Sequence, residues 1–273
     1  MIRVLPVTDL VFVWFANAYA LFAIVVCKIL GKKSTIVAGG IDAAYVPRIR
    51  YGLSNFFWGR IVARYCFGNA DLVLSVSKYN KEEVCRIARP RHIEVVYNGV
   101  DIDFYSPANA KRAEILTVAG LNPISYWQKG FETLKKVARL LPNQKFTVVT
   151  NMNFDYAQKE AKSFPANVVF KGPLTKEELL FEYRRSKVYF QPSEHESFGV
   201  ALAEAMACNC IPVATAKSAL PEIVAEDGLC SNDPNELAQM ITTVLHGKVS
   251  YNPRLRVMKK HEKLHEKLRS RAT

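Results

Sequence analysis

Two glutamates separated by seven residues lie in the segment Gln191–Ala214, whose sequence is QPSEHESFGVALAEAMACNCIPVA. Between Glu196 and Glu204 the composition changes from a strand end, through Ser197-Phe198-Gly199, to an alanine-rich helix. A helix start presents free backbone N–H groups and the positive end of the helix dipole, which together favour a phosphate group. Gly199 lets the backbone approach a ligand closely. The segment therefore predicts a phosphate-binding helix start with a carboxylate on either side.

The two carboxylates lie at different depths relative to this helix start. Glu204 falls more than one turn inside the helix, where a carboxylate can accept hydrogen bonds from two vicinal sugar hydroxyls. Glu196 lies at the mouth, where it would contact whatever extends beyond the phosphate. A purely structural role is the alternative, because the helix dipole favours glutamate near a helix start. The glutamate spacing alone is common, so the prediction rests on the whole segment.

The elements that must position this segment alternate between strands and helices. This alternation predicts doubly wound parallel sheets, which bind ligands at the carboxyl ends of their strands. Two such units in tandem should place a ligand in a cleft between them. In the second half of the chain we expect strands at 115–118, 146–149, 168–170, 188–191 and 211–213, and helices at 129–141, 176–185, 198–207 and 234–245.

The stretch Leu10–Cys27 carries no charged residue and is close to the length of a membrane span. Its internal order favours a β-α-β unit. Leu10–Phe15 is β-branched and aromatic, which is typical of a strand, Ala16–Leu30 is rich in helix formers, and Ser34–Ala38 is a second strand. Parallel strands covered on both faces form unbroken apolar runs. A single membrane-spanning helix is the alternative.

The same alternation continues to a hinge near Ser106-Pro107. Ser77 is placed to cap a helix, and Asn98-Gly99 is a turn signal. We therefore expect a domain over residues 1–107, a second over 108–247 and a basic amphipathic helix over 248–273. The remaining elements expected before the hinge are helices at 51–67 and 78–87 and strands at 71–76 and 92–96.

Composition and charge restrict the class of protein. The chain has 273 residues, 49% of them hydrophobic and 23% charged, which indicates a packed globular protein. Its net charge is +12, but residues 247–273 hold nine Lys/Arg and only two Glu, so the remainder is mildly basic and we expect no nucleic-acid partner. Cys208-Asn-Cys210 has the wrong spacing for a redox or zinc site. The six scattered cysteines therefore predict buried, reduced thiols.

Several segments together resemble the retaining, nucleotide-sugar-dependent glycosyltransferases of the GT-B fold, family 4. Glu196 and Glu204 match the E-x7-E motif of this family. The segment YNGVD at residues 97–101, followed by Phe104 and Pro107, resembles its "NGVD..F.P" hinge. Lys129-Gly130 after the strand at 115–118 resembles its "KG" helix element. Gly172, Glu177-Glu178 and Tyr183 then precede the PSEHESFG segment in the order of the family.

The resemblance implies a role for each matching residue. Glu196 would orient the donor sugar, Glu204 would hold the ribose hydroxyls, and Lys129 would neutralise the leaving diphosphate. Backbone amides around Phe198–Val200 would contact the distal phosphate. Without the resemblance, Lys129 is an ordinary exposed lysine near a helix start. The resemblance also implies that no side chain acts as a general base, because the departing phosphate oxygen can take the acceptor proton. The catalytic candidates are Glu196 and Lys129; the donor-binding candidates are Asn98, Gly99, Gly172, Ser197, Phe198, Gly199, Val200 and Glu204.

Neither a metal nor a cofactor is expected beyond the nucleotide-diphosphate sugar donor. Asp101-Ile102-Asp103 has the D-x-D pattern of metal-binding glycosyltransferases of the other fold, but it follows Asn-Gly at the hinge, so we expect it to be structural. His195-Glu196 lacks a second spaced histidine, which argues against a zinc site. We therefore expect a metal-independent, hexose-transferring enzyme with an unidentified, lipid-linked or glycan acceptor. The alternative is a donor-binding half-enzyme or a non-catalytic docking protein that needs a partner chain.

Three features depart from the family pattern. Residues 119–122, directly after the strand at 115–118, contain no arginine to partner Lys129 on the diphosphate. Gly39-Gly40-Ile41-Asp42 stands where many members carry a histidine near the sugar, which makes Gly40 and Asp42 candidates on the acceptor side. The first domain is also short, so its sheet should be reduced and its apolar helix Ala16–Leu30 less well covered.

Incomplete cover would leave a large apolar patch, which marks a partner or a membrane surface. We expect a second copy, a partner chain or an anionic membrane to complete this region. The basic stretch after Gly247 has two interpretations: a final helix that packs back on the first domain, or an interfacial helix on acidic lipid. Both fit a cytoplasmic protein, either free or peripheral on the inner face of the membrane.

Overall fold

The computed structural model describes residues 8–109, 112–150, 155–249, 251–254 and 256–258. The chain divides into two compact units between Asn98 and Gly99. The hinge expected near residue 107 lies further along the chain, inside the second unit. Most of the basic helix predicted over 248–273 lies outside the described residues.

The N-terminal unit contains four parallel strands that are hydrogen-bonded in chain order, β1-β2-β3-β4. The predicted β-α-β unit is confirmed, since β1 pairs in parallel with β2 from Leu10↔Lys33 to Trp14↔Val37. Within the described residues, no helix is both long and apolar enough to cross a bilayer. The elements are β1 (Leu10–Trp14), α1 (Ala18–Ile29), β2 (Lys33–Ala38), α2 (Phe57–Asn69), β3 (Leu72–Ser75), α3 (Lys78–Ile87) and β4 (Ile93–Val95).

The helices of this unit are set by local caps and one strained turn. Asn17 caps α1, and Ser77 caps α3 by accepting from the Asn80 N–H at 2.9 Å, which confirms the predicted Ser77 cap. The helix predicted over 51–67 begins only at Phe57. Gly52 has φ +102°, where any added Cβ would overlap the Ala44 carbonyl, so the chain turns before the helix starts.

The core of the N-terminal unit lies between the sheet and its helices. Ile24 of α1, Ile36 of β2, Phe67 of α2 and Val73 of β3 are buried together. α2 contacts both α1 and α3, so the three helices form one layer. On β1 the side chains of alternate residues differ, because Val13 packs on this core whereas Phe12 and its alternate neighbours Leu10 and Trp14 are exposed.

The C-terminal unit contains six parallel strands in the order β10-β9-β8-β5-β6-β7. The chain starts in the middle of this sheet, builds outward to one edge and then returns to build outward to the other, which is the doubly wound arrangement. Its elements are β5 (Glu114–Val118), α4 (Pro123–Gln128), α5 (Phe131–Leu140), β6 (Phe146–Val149), α6 (Asp155–Ala161), β7 (Val168–Lys171), α7 (Lys176–Arg185), β8 (Ser186–Gln191), α8 (Val200–Ala207), β9 (Ile211–Ala214), α9 (Leu220–Val224), β10 (Leu229–Cys230) and α10 (Pro234–Leu245).

Both faces of this sheet are covered. Val188 and Phe190 of β8 pack into a cluster with residues of α5 and α10, whereas Tyr189 between them lies against Tyr183 of α7, with ring centroids 6.1 Å apart. Tyr189, Val188 and Phe190 are all fully buried. A strand buried on both sides is apolar without interruption, which is why the sequence pattern located β8 so clearly.

Candidate functional site

The centre of the C-terminal sheet is a topological switch point. β5 and β8 are neighbours, and the chain leaves them toward opposite edges of the sheet. In open α/β sheets this geometry opens a crevice at the carboxyl ends of the two strands. The residues that follow β5 lead to Lys129, and those that follow β8 lead to Glu196. The fold therefore brings the two predicted catalytic residues, 67 positions apart, to the same crevice.

Lys129 and Glu196 form a direct ion pair in the structure. The Lys129 Nζ donates to Glu196 Oε1 at 2.6 Å, with the side chains 23% and 9% exposed. The same oxygen accepts from Gln191 Nε2 at 2.8 Å and from Ser193 Oγ at 3.1 Å. Gln191 also donates to Ser193 at 3.0 Å, so the four side chains are linked. A partly buried cation held by a carboxylate can be released to another anion, because either partner satisfies its charge.

Backbone contacts hold the two loops of the crevice together. The carbonyl oxygen of Gln128 accepts from the N–H of Glu194 at 2.8 Å, and the Gln128 side chain donates to the carbonyl of His195 at 3.3 Å. Gly130 has φ +69°, and any added Cβ would overlap the carbonyl oxygen of Pro192. Only glycine satisfies both conditions at once. The Lys-Gly pair of the motif thus supplies a charge and the space that lets the charge reach Glu196.

The backbone of Glu196 is held from the opposite side by the segment that precedes α9. Its N–H donates to Ser218 Oγ at 2.8 Å, and its carbonyl accepts from the N–H of Ala219 at 3.1 Å. Ser218 has φ +51°, a conformation that costs a serine energy and persists where its surroundings require it. These bonds fix the carboxylate in the crevice before any ligand arrives.

The start of α8 has the features of an anion site. Gly199 is its N-cap, with φ +88°, and no capping side chain or acidic first-turn residue is present. Ser197 is 7% exposed, and its Oγ has no hydrogen-bond partner among the described residues. Free helix N–H groups together with a buried, unpaired hydroxyl suit a phosphate. Phe198 is buried beside them, whereas Val200, the first helical residue, is 45% exposed.

Glu204 lies on the same helix, and two tyrosines hold its carboxylate. Tyr183 OH donates to Glu204 Oε2 at 3.0 Å, and the Tyr105 hydroxyl also hydrogen-bonds the carboxylate. Burial raises the pKa of Glu204, and the bonds from the two tyrosines oppose the rise. The Tyr105 and Tyr183 rings meet edge to face at 5.9 Å. The fold thus holds this carboxylate in a fixed orientation.

Sequence reasoning assigned no function to the side chains that support these carboxylates. Gln191 and Ser193 stand inside the segment singled out from the sequence, and their alternation at a strand end was the available signal. Tyr105 and Tyr183 contact Glu204 from distant positions in the chain, and only the folded structure shows those contacts.

The other donor-binding candidates lie away from this cluster. Gly172 follows β7, three strands from β8, which corresponds to about 14 Å across the sheet. Asn98 ends the N-terminal unit, and Gly99 begins the C-terminal unit. Both lie in an irregular segment after β4. Their donor-binding roles stay predictions.

The acceptor-side candidates belong to a buried turn of the N-terminal unit. The Asp42 side chain is fully buried and accepts from the Ala16 N–H at 2.9 Å and the Gly40 N–H at 2.8 Å. Burial raises the pKa of Asp42, and these backbone bonds oppose the rise. The contacts show Asp42 joining the end of β1 to the end of β2, while a contact of Asp42 or Gly40 with an acceptor stays a prediction.

The D-x-D pattern is structural, as predicted. Asp101 Oδ1 accepts from the N–H groups of Asp103 at 3.2 Å and Phe104 at 3.0 Å, so this carboxylate closes a turn. In the described part of the chain, no group of three or more His, Cys, Asp or Glu side chains is arranged to hold a metal ion.

All six cysteines are free thiols. Four are buried, Cys230 is partly covered, and Cys85 is exposed, so the expectation of buried thiols is wrong for Cys85. Cys85 follows Val84 on α3, and Val84 rather than Cys85 faces the core.

Comparison with known families accounts for nearly the whole chain. The profile of the family described as Glycosyltransferase Family 4 matches residues 8–104, and that described as Glycosyl transferases group 1 matches residues 101–270. The junction between the two matches lies close to the division between the two compact units.

Curated relatives carry glycosyltransferase names. The D-inositol 3-phosphate glycosyltransferase of Mycobacteroides abscessus is 29% identical over 178 residues, covering 58% of this chain and 39% of the relative. The sulfoquinovosyl transferase SQD2 of Arabidopsis thaliana is 30% identical over 224 residues, covering 75% of this chain and 43% of the relative. One subunit of the phosphatidylinositol N-acetylglucosaminyltransferase of Arabidopsis thaliana is 24% identical, covering 70% and 45%. The chain thus spans less than half the length of these relatives.

Solved structures share the fold. HepE from Anabaena, in complex with UDP and glucose, superposes with a TM-score of 0.77 at 18% identity, covering 98% of this chain and 80% of that one. The sucrose-phosphate synthase of Thermosynechococcus elongatus gives a TM-score of 0.70 at 20% identity, covering 96% and 74%. The fold is therefore GT-B-like, and the chain belongs to the glycosyl transferases group 1, with an N-terminal part of the glycosyltransferase family 4 type.

Proposed function

We propose that this chain transfers a sugar from a nucleoside-diphosphate donor to an acceptor, with retention of configuration and without a metal ion. The observation that carries the proposal is the Lys129–Glu196 pair at the switch point of the C-terminal sheet. A lysine, a carboxylate and an uncapped helix start meet where α/β folds bind phosphorylated ligands. HepE, which shares the fold, has been solved with UDP and glucose, and this supports a nucleotide-sugar donor.

The four parts of the site suit the four parts of such a donor. The start of α8, with the Ser197 hydroxyl, would bind the distal phosphate. Lys129 would exchange its bond to Glu196 for one to the diphosphate, and Glu196 would then contact the sugar. Glu204, oriented by Tyr183, would accept from the ribose hydroxyls. Gly172, about 14 Å across the sheet, would lie near the base.

Charge development during the reaction explains why these groups suffice. The transition state places negative charge on the leaving diphosphate and leaves an oxocarbenium-like sugar. A fixed ammonium and oriented N–H groups stabilise the diphosphate. The departing phosphate oxygen can take the proton of the acceptor hydroxyl, so no side chain need act as a base. This scheme requires neither a metal ion nor another cofactor.

The acceptor is proposed from the names of two relatives. One is named for D-inositol 3-phosphate and another for phosphatidylinositol. A polyol phosphate, free or lipid-linked, is therefore the first acceptor class to test.

Thermal shift with a panel of UDP, GDP, ADP and dTDP sugars tests donor binding. One nucleotide should raise the melting temperature in proportion to the logarithm of its concentration, because it binds only the native state. The Lys129→Ala variant should show a smaller shift with the same nucleotide, and Lys136→Ala, an exposed lysine on α5, should match the parent. If none of the four bases shifts the melting temperature, the donor proposal is wrong.

A donor-binding half-enzyme that needs a partner chain is the second candidate. It is favoured by the exposed aromatic surface of the N-terminal unit and by the relative whose name makes it one subunit of its transferase. Release of nucleoside diphosphate should be compared between the parent and Glu196→Ala. A parent that binds nucleotide but releases no more than the variant would support the half-enzyme and contradict autonomous catalysis.

A further inference from the structure

Residues 45–65 form a surface in the N-terminal unit that the proposed reaction does not use. We call the exposed side chains of this stretch the aromatic–arginine surface. Phe56, Phe57 and Trp58 are consecutive and are 63%, 73% and 73% exposed. Large rings exposed in sequence at one place are unusual in a monomeric protein and mark a contact surface.

The segment that carries this surface is rigidly built. Val46 and Tyr51 exchange backbone hydrogen bonds at 3.0 and 3.2 Å and close a small antiparallel turn. Gly59 lies in the first turn of α2, where any added Cβ would overlap the carbonyl of Leu53. The Arg60 guanidinium lies 5.8 Å from the Tyr45 ring centre, which joins the turn to α2. The rings are thus presented by a packed support.

The charge of this stretch has a single sign. Residues 43–70 contain four arginines, at 48, 50, 60 and 64, and neither aspartate nor glutamate. All four arginine side chains are exposed. The two flanking carboxylates are engaged elsewhere, since Asp42 accepts from the backbone and Asp71 binds Lys33 and the Ser34 N–H.

The start of α2 adds to this positive potential. It has no capping side chain and no acidic residue in its first turn. The positive end of the helix dipole is therefore not compensated locally. The opposite face of α2 is buried through Ala63, Cys66 and Phe67, so the helix is anchored by one face and exposes the other.

We propose that the aromatic–arginine surface docks the N-terminal unit on an anionic lipid bilayer. Tryptophan and phenylalanine favour the interface between headgroups and acyl chains, and arginines beside them bind anionic headgroups. An amphipathic helix with this composition lies in the plane of the interface. The three adjacent rings project from one helix start, and such a projection enters a fluid interface without needing a matching pocket.

Vesicle flotation tests this docking. The full chain should float with vesicles of phosphatidylcholine and phosphatidylserine and should remain unbound with phosphatidylcholine alone. Phe57→Ser/Trp58→Ser should abolish flotation. Arg60→Gln/Arg64→Gln should weaken partitioning by roughly fivefold for each arginine. Circular dichroism would confirm that both variants are folded, as expected for exposed positions.

Matched control variants separate this surface from other parts of the chain. Tyr19→Ser/Ile29→Ser removes two apolar side chains of α1 that are 85% and 76% exposed. Arg89→Gln/Arg91→Gln removes two exposed arginines outside the surface. Both controls should float like the parent. Loss of flotation in a control equal to that in the matched variant would overturn the assignment to residues 45–65.

Fluorescence reports whether the rings enter the bilayer. The chain has three tryptophans, so Trp14→Phe/Trp127→Phe leaves Trp58 as the only one. Its emission should shift to shorter wavelength with anionic vesicles and be quenched by brominated phosphatidylcholine. Flotation without a shift would show that charge alone holds the chain and would contradict insertion.

Two further outcomes contradict the proposal. Flotation that persists in both surface variants would assign lipid binding to another segment, such as the basic stretch 248–273. No flotation of the parent with anionic vesicles would exclude a bilayer and favour a protein partner for this surface. Neither outcome bears on donor binding, which thermal shift measures separately.

Discussion

The N-terminal and C-terminal units are both parallel α/β structures, but they differ in how they cover their apolar side chains. Among the described residues, fifteen large apolar side chains are exposed in the N-terminal unit and six in the longer C-terminal unit. The C-terminal sheet carries helices on both faces, and its centre is buried. In the N-terminal unit the helices form one layer, and β1 exposes Leu10, Phe12 and Trp14.

This difference separates two kinds of function within one chain. The C-terminal unit holds carboxylates, a lysine and a helix start in fixed positions, because a complete core supports the loops that carry them. The N-terminal unit has a smaller core and a large exposed apolar surface, which suits contact with another body. Preorganised chemistry and surface contact place opposite demands on packing, and each unit meets one of them.

The largest expected effect tests how tightly the C-terminal site is packed. Gly130→Ala should destabilise the chain by about 2–5 kcal/mol, because it adds the cost of a left-handed residue to that of overpacking against Pro192. Urea unfolding would measure the change. Gly120→Ala is the matched control, since its Cβ meets nothing within 4 Å. Equal stability of the two variants would show that the Lys129 loop is not rigidly packed.

Lys129→Ala tests whether this preorganisation serves catalysis. The variant should lower kcat/KM for transfer about 100-fold, equivalent to about 2.7 kcal/mol, because it removes the fixed charge opposite the leaving diphosphate. Steady-state kinetics with the nucleotide sugar identified by thermal shift would measure it. Lys136→Ala should be unchanged. An effect on KM alone would contradict a role in the transition state.

Asp42→Ala tests the corresponding buried carboxylate of the N-terminal unit. It should cost about 2–3 kcal/mol of stability, because two backbone N–H groups lose a charged acceptor. Asp42→Asn should recover part of the loss, since one carbonyl oxygen remains. If Asp42→Ala is stable but inactive with acceptor, the acceptor-side prediction for Asp42 gains support over the structural one.

Glu204 gives the C-terminal unit a pH dependence of known sign. Burial raises its pKa above the usual 4.5, so the folded protein holds a proton that the unfolded chain releases. Stability from this group is therefore present at low pH and falls as pH rises through the raised pKa. Glu204→Gln should remove this part of the slope in urea unfolding across pH. An unchanged slope would assign the pH dependence to other groups.

The smallest effect concerns the aromatic–arginine surface. Phe57→Ser should change stability by less than about 0.5 kcal/mol, because its ring is 73% exposed. Phe67→Ala, ten residues later on the same helix and fully buried, should cost about 3–5 kcal/mol. Urea unfolding of both would compare them. A large loss from Phe57→Ser would mean that the surface is packed in solution and is not free to dock.

Much of the fold was predictable where local rules and tertiary packing agree. The bounds of α3, β6, α7 and α10 match their predicted ranges because caps, prolines and charge patterns mark both ends. Four short elements, α4, α6, α9 and β10, were missed. Each is seven residues or shorter, too brief for a periodic pattern to develop. The late start of α2 was missed because crowding around Gly52 depends on Ala44, a contact outside the local sequence.

The candidate site divides in the same way. The residue types that could bind phosphate, sugar and ribose were recognisable from one continuous segment and from the Lys-Gly pair. Their partners were not. Gln191 and Ser193 orient Glu196, and Tyr183 orients Glu204, through bonds that depend on side-chain direction after folding.

The amino-acid sequence alone was enough for the alternation of strands and helices, the family and the residues able to do chemistry, because these depend on residue type and on spacing along the chain. Folding was needed to show that Lys129 binds Glu196, that Asp42 joins two strand ends, and which apolar residues stay exposed. These facts depend on distances between segments far apart in sequence. Such distances are set by the packing of the whole unit, which no local pattern records.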